Sequence, residues 1–235
     1  MKEYKNLFYE LLYPNVCPFC GSLVREGMCG KCEEKVVYVQ EPYCKKCGKP
    51  VRTEEQEYCF DCGKNRHYFT EGRALFLHKS PVSEAVYAMK YQNRRVYGQF
   101  FGRELAEKYN GFMEKRGVEL IIPIPLHKSK KRLRGYNQSQ IVAGELAKRT
   151  GIPMDMTKLA RRKKTKPQKS LDDRQRKANI SGAFSLKGEL GGKKNILLVD
   201  DIYTTGSTLD EAARVLLNGG AENVYFLTIS IGQGY

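Results

Sequence analysis

The sequence of 235 residues has no tryptophan, only three histidines and no apolar run approaching the roughly 18 residues that a membrane-spanning helix needs. Its longest apolar runs, Ile196 to Val199 and Val224 to Ile231, have the length of strands. We therefore expect no membrane insertion. The first 15 residues include Glu3 and Glu10 and lack a small-residue cleavage site, so they are not typical of a secretory signal. We expect a cytoplasmic protein.

Cysteine is absent after Cys62, and all eight cysteines form four Cys-x-x-Cys pairs. Two thiolates at this spacing can occupy adjacent corners of a zinc tetrahedron, and a second pair completes it. Disulfides are rare in the cytosol, which favours metal binding. Sites with four protein ligands leave no position for substrate, so we expect one or two structural zinc ions. The predicted ligands are Cys17, Cys20, Cys29, Cys32, Cys44, Cys47, Cys59 and Cys62.

The four Cys-x-x-Cys pairs, which we call knuckles, can combine into two metal sites in two ways. Sequential pairing joins the first knuckle to the second and the third to the fourth, whereas a cross-braced arrangement joins the first to the third and the second to the fourth. We favour sequential pairing because closing the shorter loops costs less entropy. Gly21, Gly48 and Gly63 each follow a second cysteine, where a positive φ angle helps the chain to turn back.

Acidic residues are scarce in one part of the chain, where most of the formal net charge of +15 is found. Residues 1–70 contain 11 basic and 10 acidic side chains, whereas residues 127–177 contain 17 basic and 4 acidic ones. Such a concentration of charge is either a solvated loop or the binding surface for a polyanion, pyrophosphate or nucleic acid.

Strand-like and helix-like segments alternate from about residue 72 onwards. This alternation predicts a parallel sheet with helices on both faces and ligands at the carboxyl ends of the strands. We expect a helix entered through Ser83, a helix that stops at Gly111, a basic loop after the strand VELIIPIP, and a helix that stops at Gly151.

The most informative motif runs from Ile196 to Thr208, with the sequence ILLVDDIYTTGST. An apolar strand delivers Asp200 and Asp201 to the sheet edge, where their carboxylates can accept hydrogen bonds from vicinal ribose hydroxyls. The loop of Thr204, Thr205, Gly206, Ser207 and Thr208 then opens a helix, and a helix amino end favours a phosphate. This strand, turn and helix are suited to a sugar 5-phosphate.

The motif resembles the phosphoribosyl pyrophosphate loop of type I phosphoribosyltransferases. This resemblance implies that Asp200 and Asp201 hold the ribose diol and that residues 204–208 surround the 5-phosphate. It also places residues 125–134 at the pyrophosphate loop and residues 161–177 at a lid that excludes water from the anomeric carbon. The candidates for contact with pyrophosphate, accompanied by magnesium, are Lys128, Arg132, Arg134, Lys166, Lys169 and Arg174.

Further motifs narrow the resemblance to the late-competence ComF proteins, over nearly the whole chain. They are Arg134-Gly-Tyr-Asn-Gln138, Thr165-x-x-Gln168, Arg174-x-x-x-x-Asn179, Lys90-Tyr91 and the four cysteine knuckles. The resemblance implies an α/β fold of two domains: a small double zinc ribbon in residues 1–70 and a type I phosphoribosyltransferase-like domain in residues 71–235. It also implies the handling of single-stranded DNA during natural transformation, with other competence proteins as further partners.

The basic residues in this region are more numerous than one pyrophosphate needs, and the remaining ones are suited to binding the phosphates of single-stranded DNA. The DNA-binding candidates are Lys130, Lys131, Tyr136 as a stacking surface, Arg161, Arg162, Lys163 and Lys164.

The main hypothesis is a DNA-uptake protein that binds phosphoribosyl pyrophosphate. An active magnesium-dependent transferase is the alternative, although the scattered histidines define no acceptor pocket. A zinc-supported interaction module with a decayed sugar-phosphate site is the third hypothesis.

Overall fold

The computed structural model describes residues 15–163 and 173–233, without the side chains of residues 173, 174, 176 and 177. The predictions for Lys164, Lys166, Lys169 and the side chain of Arg174 lie outside these residues. The elements in chain order are α1 (Gly30–Glu33), α2 (Phe60–Lys64), β1 (Glu71–Leu77), α3 (Val82–Tyr91), α4 (Val96–Lys115), β2 (Leu120–Pro123), α5 (Lys128–Arg134), α6 (Gln138–Thr150), β3 (Leu159–Arg161), α7 (Asp173–Ile180), β4 (Phe184–Leu186), β5 (Asn195–Tyr203), α8 (Ser207–Asn218) and β6 (Asn223–Ile231).

The main sheet is parallel and has the strand order β1-β6-β5-β2. One face packs against α3, α4 and α6, with Phe101, Val142 and Leu197 in a shared core. The other face packs against α8, whose Leu209 and Ala213 lie with Ile196 and Phe226 in a second core. Apolar strands covered on both faces are what a parallel sheet requires, and the predicted fold class is confirmed.

The close packing of α4 on α6 depends on two glycines. A Cβ atom at Gly98 would lie 2.8 Å from the side chain of Ile141, and one at Gly102 would lie 2.6 Å from the carbonyl of Val142. Their missing side chains let the two helices approach, which fixes the position of α6 beside the sheet. The first turn of α6 is part of the site described below.

The cysteine-rich region covers the outer edge of β1. The amide of Val39 donates to the carbonyl of Leu75 (3.0 Å), the amide of Leu77 donates to Val37 (2.8 Å), and the amide of Gly72 donates to Lys46 (2.9 Å). These bonds satisfy an edge that would otherwise be open to pairing with another chain. Residues on both sides of the predicted boundary at 70/71 therefore belong to one continuous packing unit.

Four local expectations need correction. Residues 128–134 form α5 rather than a loop, because His127 caps its first turn and Gly135 ends it at a φ of 80°. Gly111 does not end α4, which continues to Lys115 with non-helical angles at Tyr109. The capping position of α3 is Pro81, not Ser83, whose hydroxyl instead donates to Glu84. Gly63 lies within α2 and lacks the positive φ seen at Gly21 and Gly48.

Candidate sugar-phosphate site and metal centres

The acidic pair lies at the carboxyl end of β5, between its neighbours β6 and β2. Asp201 is 6% exposed and Asp200 is half-buried. The hydroxyl of Ser139 donates to Asp200 Oδ1 (3.0 Å). The ammonium of Lys90 lies 2.7 Å from Asp201 Oδ1, and the carboxamide of Gln138 donates to Asp201 Oδ2. Residues from α3 and α6 thus fix both carboxylates before any ligand binds.

Asn137 explains why α6 begins beside these carboxylates. Its side-chain amide donates to the carbonyl of Ile124 (2.9 Å), just after β2, while its side-chain oxygen accepts from the amide of Ser139 (3.1 Å). The cap therefore ties the start of α6 to the carboxyl end of the neighbouring strand. The motif Arg134 to Gln138 consequently has a structural role, which is to present Gln138 and Ser139 to the acidic pair.

Burial, together with the negative charge of Asp201 as a smaller cause, raises the pKa of Asp200 to about 7. The backbone amide of Asp201, the ammonium of Lys90 and the hydroxyl of Ser139 oppose this shift. A carboxyl group with such a pKa changes charge near neutrality. Asp200 can therefore donate or accept a hydrogen bond at this edge of the sheet, depending on pH.

The candidate phosphate loop, residues 204–208, begins after Tyr203 and leads into α8. Gly206 has a φ of 76°, which places it in the left-handed region at the helix start. The hydroxyls of Thr205 and Ser207 lie 2.9 Å apart. A helix amino end, backbone amides and clustered hydroxyls are the groups that bind phosphate in other proteins. The arrangement is therefore suited to a phosphate ester.

Four cationic side chains interact with the acidic pair directly, through Gln138 or electrostatically. Lys90 contacts Asp201, and the guanidinium of Arg134 donates to Gln138, which itself contacts Asp201. Burial lowers the pKa of Lys130, and the charges of Arg161, Arg134 and Lys90 lower it further, while Asp201 opposes them. Burial also lowers the pKa of Arg161, and the charge of Asp200 opposes this effect. Each of these side chains interacts with the acidic pair or with a residue that contacts it, and we call the four residues the inner cluster: Lys90, Lys130, Arg134 and Arg161.

The remaining described basic candidates are exposed. Lys131 and Arg132 lie on the outer side of α5 with Lys128, whereas Arg162 and Lys163 follow β3. We call these five residues, Lys128, Lys131, Arg132, Arg162 and Lys163, the outer cluster. Lys130 and Arg161, predicted to contact DNA, thus interact electrostatically with the acidic pair, whereas Lys128 and Arg132, predicted to contact pyrophosphate, are exposed on the surface. Both assignments stay predictions.

The burial of Tyr136 does not fit the stacking role predicted for it. The residue is 8% exposed, its hydroxyl donates to the carbonyl of Met89, and Arg95 lies 4.6 Å from the ring centroid. The left-handed Gly135 turns the chain inwards after α5 and directs this ring into the protein. Tyr136 therefore anchors α6 to α3 rather than presenting a free aromatic face.

Sequence reasoning assigned no site role to Lys90, Gln138 or Ser139, which the structure places on the acidic pair. Lys90 and Gln138 belonged to motifs that supported the family resemblance, so a signal was present. Their function was not evident because Lys90 is more than 100 positions from Asp201 in the chain.

The eight cysteines form the two sets that sequential pairing predicts. The ligand atoms of Cys17, Cys20, Cys29 and Cys32 lie within 4.8 Å of one another, as do those of Cys44, Cys47, Cys59 and Cys62. The Cys20–Cys29 and Cys47–Cys59 sulfur separations are 3.6 and 3.7 Å. A zinc tetrahedron with bonds of about 2.3 Å has edges of about 3.8 Å, so both sets fit a structural zinc ion.

The second cysteine set shares a core with Tyr203, the residue that precedes the candidate phosphate loop. Tyr203, the last residue of β5, is 1% exposed and its side chain interacts with Cys47. Its ring stacks on Phe226 with centroids 5.1 Å apart and lies under Gly206. The residue that precedes the loop therefore packs between the sheet and the metal centre.

Comparison with known families agrees with both parts of this architecture. Residues 8–63 match the double zinc ribbon domain family, and residues 137–230 match the phosphoribosyl transferase domain family. The protein therefore combines a double zinc ribbon with a phosphoribosyltransferase domain. As its motifs predicted, proteins named for competence are among the homologues of the chain.

Several curated proteins are similar to this chain. The DNA utilization protein YhgH of Salmonella typhimurium is 33% identical over 147 residues, which are 61% of this chain and 64% of the relative. Competence protein F of Haemophilus influenzae is 32% identical over 61% of this chain and 65% of the relative. Competence protein ComFC of Bacillus subtilis is 27% identical over 64% and 59%, respectively. The matches thus span less than two thirds of these relatives.

Among solved structures, a purine phosphoribosyltransferase from Pyrococcus horikoshii matches with 19% identity and a TM-score of 0.34, covering 64% of this chain and 73% of that one. In the described part of the chain, no helix is both long and apolar enough to cross a membrane.

Proposed function

We propose that this protein binds phosphoribosyl pyrophosphate with magnesium at the carboxyl end of β5 and binds single-stranded DNA through the outer cluster, as part of DNA uptake in the cytosol. One observation supports the first part above all. The inner cluster of four cations lies beside an acidic pair and a hydroxyl-rich helix start, so groups suited to a pyrophosphate, a ribose diol and a 5-phosphate adjoin one another.

Each part of the ligand has a chemical counterpart in this arrangement. Arg134 and Arg161 provide planar guanidinium groups suited to phosphate oxygens. Asp200 and Asp201 can accept hydrogen bonds from the ribose diol, and their oxygens and those of the pyrophosphate are of the hard type that magnesium prefers. Asp201 is already paired with Lys90, so ligand binding requires this ion pair to be shared with, or exchanged for, contacts to the ligand.

Calorimetric titration with phosphoribosyl pyrophosphate and magnesium tests this site. The double variant Asp200→Asn, Asp201→Asn is expected to bind on the order of tenfold to a hundredfold more weakly, since it loses charge-assisted hydrogen bonds. Glu222→Gln is a control away from the site, because it removes an exposed acid just before β6, at the opposite end of the sheet. Equal affinity of the double variant and the control would refute the proposed site.

The outer cluster supports the second part of the proposal. Five exposed cations, on α5 and directly after β3, are suited to a chain of phosphates rather than to one small ligand. The names of the relatives, which include competence and DNA utilization proteins, agree with a polymer ligand of this kind.

Salt-dependent binding of a labelled single-stranded oligonucleotide tests the outer cluster. Neutralisation of five phosphates predicts a slope of about −3.5 for the logarithm of the binding constant against the logarithm of salt concentration. The variant Arg162→Gln, Lys163→Gln should reduce this slope by about 1.4. The matched control, Lys193→Gln with Lys194→Gln, removes the same charge from the amino end of β5 and should leave the slope unchanged. Identical slopes for the two variants would contradict the proposal.

An active phosphoribosyltransferase is the second candidate function. Its support is the partial burial of Lys130 and Arg161 and their electrostatic interaction with the acidic pair, since cations in such surroundings can stabilise the charge that develops on a leaving pyrophosphate. Release of pyrophosphate from phosphoribosyl pyrophosphate, measured over a panel of nucleobases and small amines, tests it. Turnover that disappears in the double aspartate variant would establish catalysis, and no release with any acceptor would exclude it for that panel.

A further inference from the structure

Two tyrosines on α3 remain outside the site described so far and are unusually exposed. Tyr87 and Tyr91 are 50% and 62% exposed, although large aromatic side chains commonly bury most of their surface. Their spacing of four residues places them on the same face of the helix. Their ring centroids lie 4.8 Å apart at an angle of 44°, so they form one aromatic surface.

This aromatic surface adjoins the sugar-phosphate site. The guanidinium carbon of Arg134, a member of the inner cluster, lies 5.0 Å from the ring centroid of Tyr91. Lys90, the neighbour of Tyr91 in the chain, contacts Asp201. A flat group stacked on Tyr91 would therefore lie next to the guanidinium of Arg134, and only Lys90 would separate it from the acidic pair.

The other end of the surface opens into a groove of about 600 Å³ between α3 and the first zinc knuckle. Tyr87 lines this groove together with Pro18 and Gly21 of the knuckle and Arg94. Arg94 and Arg95 are exposed next to the end of α3, and Glu84 is the acidic residue on that helix in the groove wall. The surroundings of the two rings are therefore mainly cationic.

We propose that Tyr87 and Tyr91 form a stacking platform for the bases of single-stranded nucleic acid, with Arg134 beside Tyr91 and the strand continuing into the groove at the first zinc knuckle. This inference rests on the proposed DNA-binding function and adds to it. Aromatic rings stack on bases regardless of sequence, and neighbouring cations attract the backbone, which together suit a strand without a fixed sequence. The outer cluster supplies backbone contacts, and the platform supplies contacts to bases.

Binding of two labelled oligonucleotides of equal length, one with thymine bases and one abasic throughout, separates these contributions. The variants Tyr87→Ala and Tyr91→Ala should each weaken binding of the thymine oligonucleotide on the order of tenfold, since each base stacked on an aromatic ring contributes to affinity. Affinity for the abasic oligonucleotide should not change, and neither should the salt slope, because no charge is removed. Tyr91→Phe, which keeps the ring, should bind like the unaltered protein.

Tyr58→Ala provides the matched control, since this tyrosine is 48% exposed on the second zinc ribbon, away from the platform. Thermal unfolding checks that each variant remains folded. Unchanged affinity of the alanine variants for the thymine oligonucleotide, or equal losses for both oligonucleotides, would overturn the platform while leaving DNA binding intact. If the unaltered protein binds neither oligonucleotide, the proposed DNA-binding function fails, and the platform fails with it.

Discussion

The substitution Gly206→Ala tests whether the phosphate loop depends on its contact with Tyr203. A Cβ atom at Gly206 would lie 2.6 Å from the hydroxyl oxygen of Tyr203 and 2.8 and 2.9 Å from two of its ring carbons. Tyr203 has little room to move, because it stacks on Phe226 and its side chain interacts with Cys47 of the second metal centre. We therefore expect the loop, rather than the tyrosine, to shift.

Gly192→Ala separates this clash from backbone strain. Gly192 has the same φ of 76°, but a Cβ atom there would meet no atom within 4 Å. The left-handed conformation costs an alanine about 1 to 2 kcal/mol, and both variants should lose this amount of unfolding free energy. Overpacking against Tyr203 should cost Gly206→Ala about 1 to 3 kcal/mol more.

Urea unfolding measures the stability of both variants, and calorimetry measures their affinity for phosphoribosyl pyrophosphate. We expect Gly192→Ala to retain full affinity and Gly206→Ala to lose on the order of tenfold or more, because displaced backbone amides no longer converge on the 5-phosphate. Adding Tyr203→Phe removes the shortest contact and should recover part of the loss. Equal stability and equal affinity of the two alanine variants would refute this reasoning.

Two further predictions follow from the charge of Asp200 and from the metal centres. The pKa of Asp200 is raised from 3.8 to about 7 in the folded protein, so its contribution to the free energy of unfolding is present at low pH and is lost as pH rises from about 4 to 7. Urea unfolding at several pH values should show this loss in the unaltered protein but not in Asp200→Asn. A constant difference in stability between the two proteins would contradict the prediction. Cys47→Ser should bind one zinc ion fewer and, because Cys47 interacts with Tyr203, should also bind phosphoribosyl pyrophosphate more weakly. Cys20→Ser should also lose a zinc ion, with a smaller effect on this affinity. Metal analysis measures the zinc content and calorimetry the affinity, and equal effects of the two variants on affinity would argue against the link through Tyr203.

Local chemical patterns made the metal centres and the β5 motif predictable. Short loops between consecutive knuckles favour sequential pairing, and the two cysteine sets have that arrangement. The helix from Gln138 to Thr150 was predictable for a similar reason, because Gly151 ends it in a left-handed conformation at a φ of 73°. In these cases the determining interactions lie within a few residues or within one short loop.

Three features were predicted wrongly or not at all, the first through a misread local pattern and the other two because they depend on distant residues. Lysine and arginine in residues 128–134 suggested a loop because of their charge, yet both residues favour helices, and capping at His127 with Gly135 was decisive. Gly111 was expected to end a helix, but α4 continues because Met113 is buried in the core beyond it. The pairing of Lys90 with Asp201 depends on how α3 packs beside β5, which no local pattern specifies.

The division of the basic residues has a consequence for how the two proposed ligands affect each other. The inner cluster lies around the acidic pair, and Arg134 also adjoins Tyr91 of the aromatic platform. A bound pyrophosphate would neutralise cations whose field also attracts a nucleic acid backbone, so the electrostatic part of the coupling is unfavourable. Coupling between two binding sites is reciprocal, and a strand on the platform must then weaken binding of phosphoribosyl pyrophosphate by the same factor. Lys90 pairs with Asp201 and directly precedes Tyr91, so the two proposed ligands would come closest to each other at the end of α3.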